Sequence, residues 1–101
     1  MRAAVAELKV ATKLYNDGQV DDARNILNEL VTHSEKAAAA ATKSRKRVKN
    51  TEIDLRKMSE KLRDLKRTLN FEDQPPVQAA TDHLEDLRTN LLALMFSKEK
   101  K

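Results

Sequence analysis

The sequence predicts an all-α fold, a helical hairpin or bundle in which two shorter helices lie antiparallel to one very long central helix. Residues that favour helices, above all Ala, Leu, Glu, Lys and Arg, are abundant, whereas the 101 residues include one Gly and two Pro. Apolar residues recur three and four positions apart along most of the chain, as on one face of an amphipathic helix. This length suits one domain, which we expect over residues 1–97.

The first helix is predicted over residues 2–16. Its apolar stripe has the spacing of one helical face. It consists of Val5, Leu8, Thr12 and Tyr15, and it is widened by Ala4, Ala11 and Leu14. The sequence Asn16-Asp17-Gly18 should end this helix, because glycine takes the left-handed conformation of a helix C-cap without strain.

The central helix is predicted over residues 20–69, with a coiled-coil-like seam along its length. The seam positions alternate three and four residues apart without a slip, which is the seven-residue repeat of a supercoiled helix. They are Val20, Ala23, Leu27, Leu30, Ser34, Ala37, Ala41, Ser44, Val48, Thr51, Leu55, Met58, Leu62, Leu65 and Leu69. No Gly or Pro lies between Gly18 and Pro75. The alternative is a break near Ser34 or Asn50, where capping residues occur, which would give a compact monomeric bundle of three or four helices.

The last helix is predicted over residues 76–96, after two prolines that cannot continue the central helix. Its stripe again repeats in sevens, at Val77, Ala80, Leu84, Leu87, Leu91 and Leu94. We expect Phe71 to cover the end of the bundle beside Leu69, and residues 98–101 to form a frayed basic tail.

The helix lengths predict a homodimer. The first helix can cover residues 20–31 and the last helix residues 50–69, so residues 32–49 have no partner in their own chain. Two chains could cross antiparallel there, because small seam side chains allow two helices to approach closely. We expect self-association through the seam residues Leu30, Ala37, Ala41, Ser44, Val48, Leu55 and Leu62.

A basic strip lies in the second half of the predicted central helix. Between Lys43 and Arg67 there are 11 basic and four acidic residues, a balance of +7 against +4 for the whole chain. Such a strip could bind the phosphates of nucleic acid or an acidic partner, or it could be the solvated face of a long helix. The candidate binding residues are Lys43, Arg45, Lys46, Arg47, Lys49, Arg56 and Lys57. No aromatic residue is interleaved with them, which argues against stacking on single-stranded bases.

The sequence predicts a protein that is not an enzyme and holds no cofactor or metal. It has no Cys, and its two histidines, His33 and His83, form no two-histidine motif. No nucleophile stands with a base in a recognisable pattern, and a single Gly leaves no phosphate-binding loop. No apolar run approaches the ~20 residues that span a membrane, so we expect no membrane insertion. The missing Cys and signal peptide favour an intracellular location, cytoplasmic or nuclear.

Residues 8–30 resemble known helical hairpins. The residues at spacings similar to those of a tetratricopeptide repeat are Ala11, Leu14, Tyr15, Gly18, Ala23 and Leu27. Microtubule-interacting and trafficking domains, and helical regions that follow some von Willebrand A domains, look similar in this corner. The 34-residue period of a repeat array is absent. The resemblance covers roughly a quarter of the chain and implies a helical scaffold that binds proteins or peptides.

The function expected from these features is protein–protein interaction, and in particular self-association of the chain. Two alternatives stay open. The basic strip could bind nucleic acid or an acidic partner. Alternatively, Met95 and Phe96, or an uncovered groove along the middle of the long helix, could take an amphipathic helix from another protein, as an adaptor does.

Overall fold

The structure, a computed structural model, describes the backbone of residues 1–99 and the side chains of residues 1–96. Within these residues the fold is all-α, as predicted, and contains no strand. Its elements are, in order, α1 (Arg2–Asn16), α2 (Val20–Ser44), α3 (Val48–Thr68), a short 3-10 helix (Phe71–Asp73) and α4 (Gln74–Glu99). They form a bundle whose Cα atoms extend over 50 × 21 × 14 Å.

The prediction of one continuous helix over residues 20–69 is wrong, because the chain turns at residues 45–47. Arg45 ends α2 with φ of 57°, and Arg47 precedes α3 with φ of 59°, so both adopt the left-handed conformation. This conformation costs a residue with a side chain roughly 1–2 kcal/mol. The turn lies just before Asn50, one of the two alternative break points, and it gives the four-helix arrangement of that alternative.

The seven-residue repeat does not reveal this turn, because both helices present the same set of positions to the core. The turn falls between the seam positions Ser44 and Val48, so no seam residue is lost and the spacing continues in α3. Ser44 assists the turn, since its Oγ accepts a hydrogen bond from the Lys46 N–H (3.2 Å). Ser44 is the one exposed seam residue, and the rest are buried or half-buried as predicted.

The connection between α1 and α2 confirms the predicted role of Gly18, which has φ of 80°. The Gly18 N–H donates to the Tyr15 carbonyl (3.1 Å), and the Gln19 N–H donates to the Leu14 carbonyl (2.8 Å). These two bonds are those of a Schellman motif and satisfy the last carbonyls of α1. The chain therefore reverses here without strain.

The helices alternate in direction, so each runs antiparallel to the next. α1 packs mainly against α2, and α3 packs mainly against α4, which gives two hairpins; α2 also packs along α4. Side-chain pairs between α3 and α4 fix their opposite directions, namely Lys66 with Gln78 and Glu52 with Arg88. α1 and α3 therefore run parallel to each other, with few direct contacts between them.

One hydrophobic core joins all four helices. Its largest fully buried apolar side chains come from the predicted stripes of α2, α3 and α4, and they are Leu30, Leu55, Met58, Leu62, Val77, Leu84 and Leu91. α1 contributes four buried residues of its predicted stripe, Leu8 and Tyr15 together with Ala4 and Ala11, which widen it. Val5 is only half-buried, and it lies at the edge of the core.

α4 extends beyond its predicted limits. It starts at Gln74, with both prolines in its first turn, where a helix needs no N–H donor. It continues to Glu99 and so includes residues 98–99 of the predicted frayed tail; residues 100–101 of that tail lie outside the described residues. Phe71 does not cover the end of the bundle, because it is 87% exposed in the 3-10 helix.

A network of charged side chains joins α3 to α4. Arg88 donates from Nε to Oε2 of Glu52 (2.7 Å) and from Nη1 to Oε2 of Glu85 (3.0 Å). Arg63 donates from Nη2 to Oε1 of Glu85 (2.6 Å). The hydrogen bond to Glu52, followed by that to Glu85, raises the pKa of Arg88. Partial burial favours the neutral form of Glu85, but the hydrogen bonds from Arg88 and Arg63 outweigh it and lower the pKa of Glu85.

Candidate protein-interaction groove

A groove opens between α1 and α3, over the alanine-rich end of α2. Its wide end, of about 1220 Å³, is bounded by the N-terminal part of α1, the C-terminal part of α2 and the start of α3. A shallower continuation of about 560 Å³ runs between the rest of α1 and the second half of α3. We call the two parts together the α1–α3 groove. Its apolar lining includes Val5, Leu8, Val10, Ala40, Ile53 and Leu65.

The groove exists because the C-terminal end of α2 lines it with small side chains, those of alanines and of Ser44. Residues 37–41 are five successive alanines, of which Ala38 and Ala41 are buried. Ala37 and Ala40 line the groove, and neither side chain is large enough to fill the space between α1 and α3. The small side chains around residues 37–41, which predict a close crossing of two chains, therefore leave an open groove in the bundle.

The apolar side chains that line the α1–α3 groove come from α1, α2 and α3; we call them together the floor of the groove, and they are partly accessible. Val10 is 46% exposed, while Val5 and Ile53 are half-buried. Apolar side chains that line one open groove and lie within a polar surround are typical of a surface that another molecule covers.

Both walls of the groove are basic. The cations that line it are Arg2, Lys9 and Lys13 on α1 and Lys46, Arg47 and Lys61 on the other side. All six are exposed, and none forms an ion pair with another of residues 1–96. Two carboxylates, Asp54 and Asp64, also line the groove, and Asp64 is already paired with Arg67 (3.1 Å). The balance of charge therefore attracts anionic groups to the groove.

The structure brings together five of the seven basic residues that the sequence predicts for binding an anionic partner. Lys43, Arg45, Lys46, Arg47 and Lys49 are all exposed at the turn between α2 and α3. Two of them, Lys46 and Arg47, also line the wide end of the groove. Arg56 and Lys57 are exposed further along α3 and do not belong to this cluster.

The contribution of α1 to this surface is absent from the sequence prediction. A weak signal was present, since Arg2, Lys9 and Lys13 are seven and four positions apart and so fall on one side of the helix. They flank the apolar stripe rather than interrupt it. Only the packing of α1 beside α3 brings them opposite Lys46, Arg47 and Lys61.

The structure places most residues that were predicted to mediate self-association inside the bundle. The buried ones are Leu30, Ala41, Leu55 and Leu62. The others are Ala37 and Val48, which are half-buried, and Ser44, which is exposed at the turn. Because the buried side chains pack against helices of their own chain, the four-helix bundle does not present them to a second copy.

The two histidines pair with carboxylates on neighbouring helices. His33 Nδ1 lies 2.7 Å from Glu7 Oε1 across α1 and α2, and His83 Nε2 lies 3.4 Å from Glu35 Oε1 across α2 and α4. In the described part of the chain, no group of three or more His, Asp or Glu side chains is arranged to hold a metal ion. Each histidine therefore connects two neighbouring helices.

Among the side chains of residues 1–96, three hydroxyl groups are buried without a hydrogen-bond partner in the protein, those of Tyr15, Ser34 and Ser59. Burial, together with the negative charge of Asp73, raises the pKa of Tyr15 against the opposing effect of Arg24. Ser59 lies beside the predicted seam and not on it, so the spacing of apolar residues gives no sign that it is buried.

Comparison of the chain with family models, with curated proteins and with solved structures gives no match. None of the helices in the described residues combines the length and the apolarity that a membrane span requires. A function is therefore inferred from the shape and charge of the α1–α3 groove.

Proposed function

We propose that this chain is a protein-interaction module without enzymatic activity, which binds an acidic amphipathic helix of a partner protein in the α1–α3 groove. The observation that supports this proposal is an open apolar floor between two basic walls. An amphipathic helix would lay its apolar side chains on the floor and hold its carboxylates against the walls.

The dimensions of the groove suit a single helix. α1 has 15 residues, so at 1.5 Å per residue the groove is about 22 Å long, and a helix of about 15 residues would run along it. α1 and α3 make few contacts with each other, which leaves their facing sides available to a third helix. The partner would thus pack as one more helix of the bundle.

Nucleic acid is the second candidate ligand, and the basic cluster at the α2–α3 turn favours it. Five exposed cations stand within residues 43–49. Backbone phosphates are bound by cations and hydrogen-bond donors, however, and an apolar floor adds nothing to those contacts. The lining of Val5, Val10 and Ile53 therefore favours a helix with an apolar face over a nucleic acid.

The floor of the groove can be tested with one pair of substitutions. Ala40→Glu places a carboxylate in the groove, and we expect it to weaken binding of a fluorescent acidic amphipathic peptide about tenfold or more, as measured by anisotropy. Ala39→Glu is the matched control, because Ala39 is equally an exposed alanine of α2 but lies beside α4. We expect this control to change the affinity by about twofold at most, since exposed substitutions away from an interface have small effects. Equal effects of the two substitutions would contradict binding in the groove.

The walls are tested by charge reversal. Lys9→Glu combined with Lys46→Glu should weaken peptide binding about tenfold and reduce its salt dependence, whereas Lys36→Glu, on an exposed part of α2 outside the groove, should not. A DNA duplex is titrated in parallel. Tighter binding of DNA than of the peptide, insensitive to Ala40→Glu, would replace the proposed function by nucleic-acid binding.

A further inference from the structure

We propose that two copies of this chain exchange their α3–α4 hairpins by straightening the turn at residues 45–47, which gives a domain-swapped antiparallel dimer. The partner is a second copy of the chain, and the moving element is a hairpin that already packs as a unit. This inference goes beyond binding of a helix in the α1–α3 groove and does not depend on it.

The turn between α2 and α3 is strained at both ends. Arg45 and Arg47 each have a positive φ, which residues with a side chain rarely adopt. The turn between α1 and α2 has a glycine, Gly18, at its positive-φ position. Backbone strain from a positive φ is therefore present at the α2–α3 turn and absent from the α1–α2 turn.

The residues of this turn favour a helix. Arg and Lys are good helix formers, and no glycine or proline is present between Gly18 and Pro75. The start of α3 has no side-chain cap, and the cations of Arg47 and Lys49 lie at the positive end of its dipole. Continuing α2 directly into α3 would remove both disadvantages and return Arg45 and Arg47 to negative φ.

A straightened helix keeps every core position in register. The seam residues on either side of the turn, Ala41, Ser44, Val48 and Thr51, are spaced three, four and three apart, as one continuous helix requires. A turn whose length broke this spacing would leave one half of the straightened helix facing the wrong way. The four-helix bundle requires the repeat within α2 and within α3, but it does not require the same phase on both sides of the turn, whereas a continuous helix requires both.

The exchange replaces contacts within one chain by the same contacts between two chains. The α1–α2 hairpin and the α3–α4 hairpin stay intact, while the packing of α2 on α4 is re-formed with the partner. The buried seam residues Leu30, Leu55 and Leu62 would then lie at the interface between chains. The two long helices would pass each other near Ala37, Ala41 and Ser44, whose small side chains permit a close approach. Such an exchange costs little because no core contact is lost.

The test compares two double variants that differ only in backbone preference. Arg45→Gly with Arg47→Gly favours the left-handed turn, whereas Arg45→Ala with Arg47→Ala favours a helix, and both pairs remove the same two charges. Each variant and the parent chain are refolded from denaturant at low and high concentration, and the dimer is quantified by size-exclusion chromatography with light scattering. We expect the alanine pair to dimerise roughly 100-fold or more tightly than the glycine pair, because four turn residues change preference in each dimer.

Cross-linking distinguishes exchange from side-by-side association. The sequence has no Cys, so Glu35→Cys with His83→Cys introduces one pair of thiols between α2 and α4, where the two side chains already lie 3.4 Å apart. A short bismaleimide should link this pair within the monomer but between chains in the exchanged dimer. Glu7→Cys with His33→Cys lies within the α1–α2 hairpin and should be linked within one chain in both states.

Dimer fractions that are equal for the alanine and glycine pairs would overturn the proposal. So would a dimer of the parent chain whose 35–83 link stays within one chain, a result that does not depend on how the turn variants fold. Peptide binding in the α1–α3 groove is measured separately on monomer, so failure of either proposal leaves the other intact.

Discussion

Glu52 and Arg88 are 36 positions apart in the sequence, and Arg88 Nε donates a 2.7 Å hydrogen bond to Oε2 of Glu52 between α3 and α4. The Glu52 side chain is 6% exposed, whereas the Arg88 side chain is 28% exposed. The pair therefore holds a buried carboxylate at the inner face of α3 and fixes α4 against it. Glu85 and Arg63 extend the same network toward solvent.

The first prediction concerns this buried carboxylate. Arg88→Met should lower the free energy of unfolding by about 2 kcal/mol, because it leaves Glu52 buried without its partner. Urea unfolding followed by circular dichroism at neutral pH measures the change. Arg67→Met is the control, since it removes an ion pair with Asp64 whose side chains are 77% and 72% exposed, and we expect a change below about 0.5 kcal/mol. Equal losses in the two variants would mean that Glu52 does not need Arg88.

The second prediction concerns acid stability. Hydrogen bonds from Arg88 and Arg63 outweigh burial and lower the pKa of Glu85 below its ordinary value of 4.5. The unfolded chain then binds more protons at this site than the folded chain, so the contribution of Glu85 is present above that value and is lost as the pH falls through the folded pKa. We expect Glu85→Gln to flatten the dependence of unfolding free energy on pH in the acid range.

Glu60→Gln serves as the control for acid stability. Glu60 is exposed on α3 and forms no ion pair with the described residues 1–96. Glu60→Gln should have the same dependence of unfolding free energy on pH as the parent. The difference between Glu60→Gln and Glu85→Gln then measures the contribution of the ion pairs of Glu85. A parent chain with no steeper acid loss than Glu85→Gln would contradict the lowered pKa.

The third prediction concerns Tyr15, the only tyrosine in a chain without tryptophan. Burial raises the pKa of Tyr15 above its ordinary value of 10.0, and the negative charge of Asp73 adds to this effect. Its ultraviolet phenolate absorbance should therefore titrate above that value. Because the folded pKa is raised, the stabilisation is complete below pH 10.0 and is lost as the pH rises through the folded pKa.

Tyr15→Phe separates this titration from the packing of the ring. The hydroxyl has no hydrogen-bond partner in the protein, so its removal should leave the free energy of unfolding unchanged or raise it by about 1 kcal/mol at neutral pH. The variant should also lose less stability than the parent at alkaline pH. A phenolate midpoint at or below the ordinary value would contradict the burial of this hydroxyl.

The sequence predicts which residues face the core far better than it predicts where the chain turns. Leu30, Leu55 and Leu62 lie on the predicted seam and are fully buried. The sequence does not indicate this turn, because Arg45, Lys46 and Arg47 each favour a helix. Local preference and the seven-residue repeat therefore both predict one continuous helix. The turn lets α4 pack along α2 of the same chain, and that contact between distant segments has no local signal.

The sequence predicts only part of the candidate site, because some of its features are local and others depend on contacts between distant segments. The basic cluster at Lys46 and Arg47 is a local feature of composition, and the sequence predicts it directly. The apolar floor is not local, because Val10 and Ile53 are 43 positions apart and meet only when α1 lies beside α3. The space between them depends on the alanines of α2, whose small size could equally favour a close crossing or a groove.

The last prediction concerns the two serines that are buried without a partner. Ser34 and Ser59 are both 0% exposed, and their hydroxyls accept and donate no hydrogen bond within the protein. Ser34→Ala and Ser59→Ala should each raise the free energy of unfolding by about 0.5–1 kcal/mol, because alanine removes an unpaired hydroxyl and is the better helix former. Thr81→Val is the control, since the buried Thr81 hydroxyl donates to the Val77 carbonyl (2.9 Å) and its loss should give no gain. Urea unfolding measures the change in each variant. A loss of stability in Ser34→Ala and Ser59→Ala would mean that these hydroxyls form hydrogen bonds in the folded protein in solution, with ordered water as the natural partner.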